Sequence, residues 1–297
     1  MKIILAKYAG FCFGVERAIN TLKELKNNIN AKIYTIGPII HNPQVVEDFK
    51  KIGIYPIDEE DIDNLSDEYV VIRSHGVSNE VYHKLQNKNL HIIDTTCPYV
   101  KNVHKKVEYL EKNNYKVVVL GKRDHPEVEG IIGHCKETPY IINSDDDLDN
   151  FPFTERIGVV AQTTSISEVF KKFVAGLSLK STEMLVYNTI CDATEKRQSE
   201  AIEIAKKCDK MIVIGGKNSS NSNKLKEIAK QYLEHVFFIE TAEELDVLDF
   251  SDNDIIGITA GASTPKESIN GVLEFLKNNF NVNLEIFQSL RKQKEEN

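Results

Sequence analysis

One phrase of sequence is written three times along this chain, and that recurrence limits the fold more than any other feature. Cys12, Cys97 and Cys191 each precede a helical stretch and a short apolar run, and the runs end at Gly37, Gly121 and Gly215. The cysteine-to-glycine spacings are 25, 24 and 24 residues. Four residues past each glycine stands a polar side chain: His41, His125 and Ser219. Val15, Ile19, Leu22 and Leu25 recur at helical spacing after the first cysteine, as do Val100, Val103, Val107 and Leu110 after the second. The third stripe is weaker, carried by Ala201, Ile204 or Ala205, and Cys208. Strands are expected at 32–36, 116–120 and 211–214, and again beyond a second helix at 69–72, 156–160 and 254–258. A third helix then leads to a strand running into the next cysteine, at 91–93 and 184–187. The last copy ends at a helix near 269–276 without such a strand. The missing piece is the N-terminal strand 2–6, which leads to Cys12.

Strands alternating with helices through right-handed crossovers build parallel sheets. Repeated units bring equivalent positions together about a pseudo-axis. The expected fold is therefore α/β, with three pseudo-threefold-related lobes, each holding a small parallel sheet, around a central cavity. The lobes run over 13–97, 98–191 and 192–283, the third completed by strand 1–12, with 284–297 as a C-terminal tail. Ligands of open parallel sheets bind beyond the carboxyl ends of the strands. All three cysteines fall there, as do Arg73-Ser74-His75, Gln162-Thr163-Thr164 and Ser263-Thr264.

Three thiols at equivalent places read as metal ligands. They are one short of the four that a cubane 4Fe–4S cluster takes, which leaves a position for substrate. Zinc is the competing metal, but structural zinc sites draw on paired cysteines, and the chain has no Cys-x-x-Cys. Cys135 and Cys208 continue helical stripes and read as core. His41, His75 and His125 share the strand-end pattern and point to ligand-facing roles; His83, His91, His104, His134 and His235 do not. The third copy carries KNSSNSN, where Ser219, Ser220 and Asn221 offer hydroxyl, amide and backbone N–H groups suited to phosphate oxygens. The same stretch also reads as a polar loop with a helix cap. Glu127 fills the slot that Asn221 has in the third copy and is placed to carry a proton to a departing oxygen. A plain first-turn helix acid is the bland reading, for Glu127 as for its neighbour Glu129.

Composition removes other classes. A net charge of -8 over 297 residues argues against a duplex nucleic-acid binder. No apolar run approaches the roughly 20 residues of a membrane span, and the apolar start is too short for a signal peptide. Five widely spaced cysteines do not form a secreted disulfide framework, so a reducing cytoplasm is expected. His125-Pro126-Glu127 lacks the downstream cysteine pair of zinc deaminases. GGKNS lacks the earlier P-loop glycine, and no G-x-G-x-x-G follows a strand.

With AGFCFGVERAI, IHNPQVV, RSHGV, DTTCPYV, HPEVEG, QTTSIS, NTICDAT, KNSSNSN and TAGASTP assembled over residues 10–265, the chain resembles the 4-hydroxy-3-methylbut-2-enyl diphosphate reductases of the non-mevalonate isoprenoid pathway. The resemblance implies one 4Fe–4S cluster per subunit on Cys12, Cys97 and Cys191, an allylic diphosphate substrate, and an external donor such as ferredoxin or flavodoxin. It implies diphosphate contacts from His41, His75 and His125, and proton delivery by Glu127. Further substrate contacts come from Ser219, Ser220, Asn221, Ser263 and Thr163, with Thr164 the alternative to Thr163 and Gln162 beside them. Reductive dehydroxylation to isopentenyl and dimethylallyl diphosphate is the implied reaction. A quinolinate synthase-like 4Fe–4S dehydratase is the alternative reading.

Overall fold

Each copy of the repeat lays down its strands in the same spatial order. The structure is a computed structural model that describes residues 1–288. The chain opens with β1 (Lys2–Leu5) and α1 (Phe13–Asn28). The first copy then supplies β2 (Ile33–Ile36), α2 (Pro43–Lys51), β3 (Ile54–Ile57), β4 (Tyr69–Ile72), α3 (Asn79–Gln86) and β5 (His91–Asp94). The second supplies α4 (Pro98–Lys112), β6 (Lys116–Leu120), α5 (Pro126–Ile132), β7 (Tyr140–Ile142), α6 (Asp145–Asp149), β8 (Thr154–Ala161), α7 (Ser167–Ser178) and β9 (Ser181–Val186). The third supplies α8 (Asp192–Ala205), β10 (Lys210–Ile214), α9 (Ser220–Lys230), β11 (Val236–Ile239), β12 (Ile255–Ala260), α10 (Lys266–Asn279) and β13 (Asn283–Ile286).

The three sheets have the orders β3-β2-β4-β5, β7-β6-β8-β9 and β11-β10-β12-β1-β13. All their pairings are parallel. In the third sheet β1 holds the place that β5 and β9 hold in the others, the strand that leads to a cysteine. The α/β class and the small parallel sheets are as the sequence predicts. The chain divides into two compact units. One comprises Met1–Phe13, His41–Pro43 and the chain from Asp192 onward, and the other Gly14–Ile40 and Gln44–Cys191. The second unit holds both of the first two sheets.

Four strands go beyond the sequence reading: β3, β7, β11 and β13. All lie at sheet edges, where strands are short and tolerate residues that weaken a strand signal. Strand β3 contains Pro56, admissible at an edge because a central strand would lack its N–H. Strand β13 is exposed throughout, so its short alternation of Leu284 and Ile286 with Asn283 and Glu285 marks no buried face. It includes the first residues of the expected 284–297 tail; residues 289–297 lie outside the described residues.

The inner strands are continuous apolar runs, as parallel sheets covered on both faces require. Val117 to Leu120 and Met211 to Ile214 are all buried. Helix α1 seats Val15, Ala18, Ile19 and Leu22, and α4 seats Val100, Val103, Val107 and Leu110. Helix α8 differs. Beside Ala201, Ile204 and Ala205 it buries Thr194, Arg197, Gln198 and Glu200, so its stripe is weak in sequence because half of its inward face is polar.

Helix α4 lies close over β8 at Gly158. A Cβ there would stand 2.4 Å from Cδ2 and 2.8 Å from Cγ of the fully buried Leu110. Gly158→Ala is expected to destabilise by about 1–3 kcal/mol, the usual cost of overpacking. Urea unfolding checks this, and combining the change with Leu110→Ala, itself costly by about 2–5 kcal/mol, should cost less than the sum of the two single changes. An unchanged midpoint for Gly158→Ala would contradict the packing argument.

Candidate functional site

The cysteines of the repeat share one backbone interaction. The Cys12 N–H donates to Ala262 O at 3.1 Å, Cys97 N–H to Ser74 O at 2.9 Å, and Cys191 N–H to Thr163 O at 3.1 Å. Each acceptor lies in the loop after the inner strand beside the one that leads to that cysteine: β12, β4 or β8. Side-chain hydroxyls brace two of these joints. Thr95 Oγ1 donates to Ile72 O at 2.6 Å, and Thr189 Oγ1 accepts from Ala161 N at 2.8 Å. Each cysteine is half-buried and stands at or next to the start of α1, α4 or α8, an end of a helix that favours negative charge.

Within the unit of the first two sheets, Glu127 is the centre of the polar arrangement. Pro126 starts α5, and His125 caps it, its Nδ1 accepting from Glu127 N at 3.1 Å. That nitrogen therefore carries no proton in this arrangement, and the ring proton sits on Nε2. The Glu127 carboxylate is 2% exposed. Its Oε1 accepts from Thr163 N at 2.6 Å, and its Oε2 accepts from Thr163 Oγ1 at 2.8 Å. Burial nevertheless wins over these two bonds and pushes its pKa up to about 7. Glu129 is exposed on the same helix, so burial separates two acids that look alike in sequence. The His75 and His125 rings meet edge to face, centroids 5.6 Å apart. Thr163 is the threonine joined to Glu127. Thr164 instead accepts from Gln162 Nε2 at 3.0 Å, although it is the residue that stands in register with His75 and Ser263. Behind His75, buried His104 packs near Gly76 and stacks on His134 at 3.9 Å. Burial holds His104 down at about 3, so it stays neutral.

Within the other unit, Ser219 caps α9, accepting from Ser222 N at 3.4 Å. The Ser263 hydroxyl donates to Ser219 Oγ at 3.4 Å. Ser220, half-buried, opens the helix. Asn221 is 4% exposed, and neither its Oδ1 nor its Nδ2 has a hydrogen-bond partner among the described residues. A buried amide left so is costly, and it suits a polar ligand able to meet both atoms. The cap reading of this loop is correct for Ser219 and does not account for Asn221. His41 belongs to this unit through a close approach of backbones: a Cβ on Gly216 would stand 2.4 Å from His41 O. Only glycine allows that contact.

The donor set fits a thiolate-bound metal group. Cys12, Cys97 and Cys191 are half-buried at helix starts. Burial pushes the Cys135 thiol up to about 12 and that of Cys208 to about 11, so neither supplies a thiolate near neutrality. Sequence reasoning did not find Arg17, Arg197 or Glu200, which hold the loops around the cysteines. Arg17 Nη2 donates to Thr96 O, Arg197 Nη2 donates to Gly10 O, and Glu200 accepts from Tyr8 N. The available signal was an interrupted apolar stripe in α8.

Three parallel α/β sheets, each with a cysteine beyond its carboxyl edge, define a class of cysteine-bearing α/β proteins. Within it the chain belongs to the LytB protein family, whose model matches residues 3–277. A 4-hydroxy-3-methylbut-2-enyl diphosphate reductase of Thermoanaerobacter sp. (strain X514) is 47% identical over 280 residues, covering 93% of this chain and 97% of the relative. The reductase of Geobacter sulfurreducens is 42% identical over 274 residues, covering 92% and 96%. A solved structure of (E)-4-hydroxy-3-methyl-but-2-enyl diphosphate reductase, the terminal enzyme of the non-mevalonate pathway, matches at 42% identity with a TM-score of 0.69 over 93% of this chain and 99% of that one. The E-1-hydroxy-2-methyl-but-2-enyl-4-diphosphate reductase from Plasmodium falciparum matches at 29% identity with a TM-score of 0.88 over 99% and 98%. The expected resemblance is borne out, and family membership decides against the quinolinate synthase-like alternative. Among the described residues no helix is long and apolar enough to cross a membrane.

The raised Glu127 has a thermodynamic signature. The folded chain holds its proton more tightly than the unfolded chain, so the stabilising contribution is full below about pH 4.5 and lost as pH rises through about 7. Relative to Glu127→Gln, the protein should lose up to about 3 kcal/mol across that window. Urea unfolding of both proteins at several pH values measures the difference, and parallel curves would contradict the assignment.

Proposed function

We propose that the chain catalyses reductive dehydroxylation of (E)-4-hydroxy-3-methylbut-2-enyl diphosphate, giving isopentenyl and dimethylallyl diphosphate. The observation that carries the reading is the amide-to-carbonyl hydrogen bond repeated at Cys12, Cys97 and Cys191, which gives the three cysteines equivalent places in a LytB-family chain and supports reading them as ligands. They would hold one 4Fe–4S cluster per subunit. When bound, the cluster supplies electron transfer and Lewis acidity at an iron without a protein ligand. The overall reaction consumes the allylic alcohol, two electrons and two protons; the carbon–oxygen bond breaks, a carbon–hydrogen bond forms, and water leaves. The electrons come one at a time from an external low-potential carrier such as ferredoxin or flavodoxin. A reducing cytoplasm suits both the carrier and the thiolates.

The chain's own residues bind the diphosphate and manage one proton. His41, His75 and His125 face the diphosphate, together with Ser219, Ser220, Asn221 and Ser263. Asn221 is the strongest of these assignments, because its buried Nδ2 lacks the acceptor that a phosphate oxygen supplies and its Oδ1 lacks the donor that the substrate's hydroxyl or an accompanying water supplies. Glu127 delivers the proton that turns the departing oxygen into water. Its position near pH 7 suits that task, since a proton donor works best with a pKa close to the operating pH. Thr163 orients the carboxyl group through both of its oxygens and keeps it turned toward one direction. The second proton goes to the carbon skeleton, and the substrate's own diphosphate is its source.

Glu127→Gln keeps the shape and the Thr163 contact but has no proton to give. It should bind substrate with near-normal affinity and lose about 10²–10⁴-fold in kcat with reduced dye as electron source. In the unsubstituted protein kcat should fall as pH rises through about 7, as Glu127 ionises. Near-normal turnover by Glu127→Gln, or a rate flat to about pH 9, would remove Glu127 from the mechanism.

A further inference from the structure

Helices α1, α4 and α8 each start beside a cysteine of the repeat, and each sends a cation to the loop leading to another cysteine. Arg17 of α1 donates from Nη2 to Thr96 O at 2.6 Å, one residue before Cys97. Lys106 of α4 places Nζ 4.3 Å from the centre of the Tyr187 ring, four residues before Cys191. Arg197 of α8 donates from Nη2 to Gly10 O at 2.6 Å, two residues before Cys12. The contact thus recurs with the repeat, although the sequence shows no common motif for it: the cations sit five, nine and six residues after their cysteines.

The two arginine contacts are the more specific. Arg197 is 4% exposed, and its second fork nitrogen, Nη1, donates to Ala193 O at 2.9 Å within α8. Gly10, its partner, has φ +99, a conformation that glycine visits readily and leaves readily. A loop with such a residue two positions before a ligand needs an external hold. Glu200 supplies a second one, accepting from Tyr8 N at 2.9 Å. On α1, Arg17 is half-buried, and its Nε is buried with no hydrogen-bond partner among the described residues. Keeping a guanidinium in such surroundings is costly unless its position brings a return. Its reach to the carbonyl of the residue before Cys97 is what the structure offers. Both cations bond to carbonyls that precede a cysteine by one or two residues. A group made of thiolates and sulfides is anionic there, and it becomes more so on accepting an electron.

We infer that Arg17 and Arg197 are positioning residues that hold the backbone before Cys97 and Cys12, and through it the sulfur atoms, in the geometry that retains the cluster. The inference rests on the reading that these cysteines bind a cluster and deepens it. Positive charge next to the ligands also favours the reduced state, so loss of either arginine moves the reduction potential to more negative values.

The test compares anaerobically reconstituted unsubstituted protein with Arg17→Met, Arg197→Met, Arg17→Lys, Arg197→Lys and Cys97→Ser. Iron release to a ferrous chelator is followed together with the visible absorbance of the cluster and with thermal unfolding. In the metal-free proteins, hydrogen exchange is read at residues 7–12 and 94–97. The methionine variants should unfold cooperatively, release iron about ten- to a hundredfold faster, the range expected for residues that orient metal ligands, and exchange faster in the matching segment alone. The lysine variants should recover part of the loss. Methionine variants that fold normally and release iron at the unsubstituted rate would overturn the inference. If the methionine variants do not fold, the lysine variants decide in the same way: faster release than the unsubstituted protein supports it, and equal release overturns it. Failure of the underlying reading looks different, because then the unsubstituted protein takes up no iron and sulfide, or Cys97→Ser retains as much as the parent.

Discussion

The cysteine amide is the joint on which the rest depends. In each sheet the strand that leads to a cysteine runs parallel to an inner strand, and the loops after the two strands are tied by one N–H···O bond from the cysteine itself. The bond fixes where the thiol leaves the sheet. It also fixes the neighbouring loop, which bears His75 after Ser74, Thr163 itself, or Ser263 after Ala262. Each cysteine and the polar groups beside it are therefore set by the same contact, and a change in one loop is felt in the other.

Glu127 shows how the fold produces a group with an unusual charge state. Two donors from Thr163 pull its pKa down, and full burial pushes it up; the net result is near 7. A carboxyl group in a more open place with the same two bonds would be ionised at neutral pH and have no proton to give. His125 contributes by capping the helix through Nδ1, which leaves its Nε2–H as a donor. One short segment, HPEVEG, therefore supplies both an Nε2–H donor and a carboxyl group that holds its proton up to about pH 7, from the cap and first turn of a single helix.

Much of this was legible in the residues because the repeat keeps its chemistry at strand ends. The central strands were visible as apolar runs, and their carboxyl ends as the polar clusters RSH, QTT and GAST. The edge strands were not, since Pro56 breaks the pattern of β3 and β13 has no buried face. Glu127 and Glu129 could not be separated in sequence; depth alone distinguishes them. Arg17, Arg197 and Glu200 belong to no motif of the repeat. Their contacts run to backbone carbonyls and amides far away in the chain, partners that the side-chain pattern does not name, and only the interrupted stripe of α8 shows that polar groups turn inward there.

Mössbauer spectroscopy of the anaerobically reconstituted protein, before and after addition of the allylic diphosphate, tests the central claim most directly. Three cysteine ligands for four irons predict one iron site distinct from the other three, and a change confined to that site when the alcohol arrives. Four equivalent sites that ignore the substrate, or zinc in place of iron, would contradict the account.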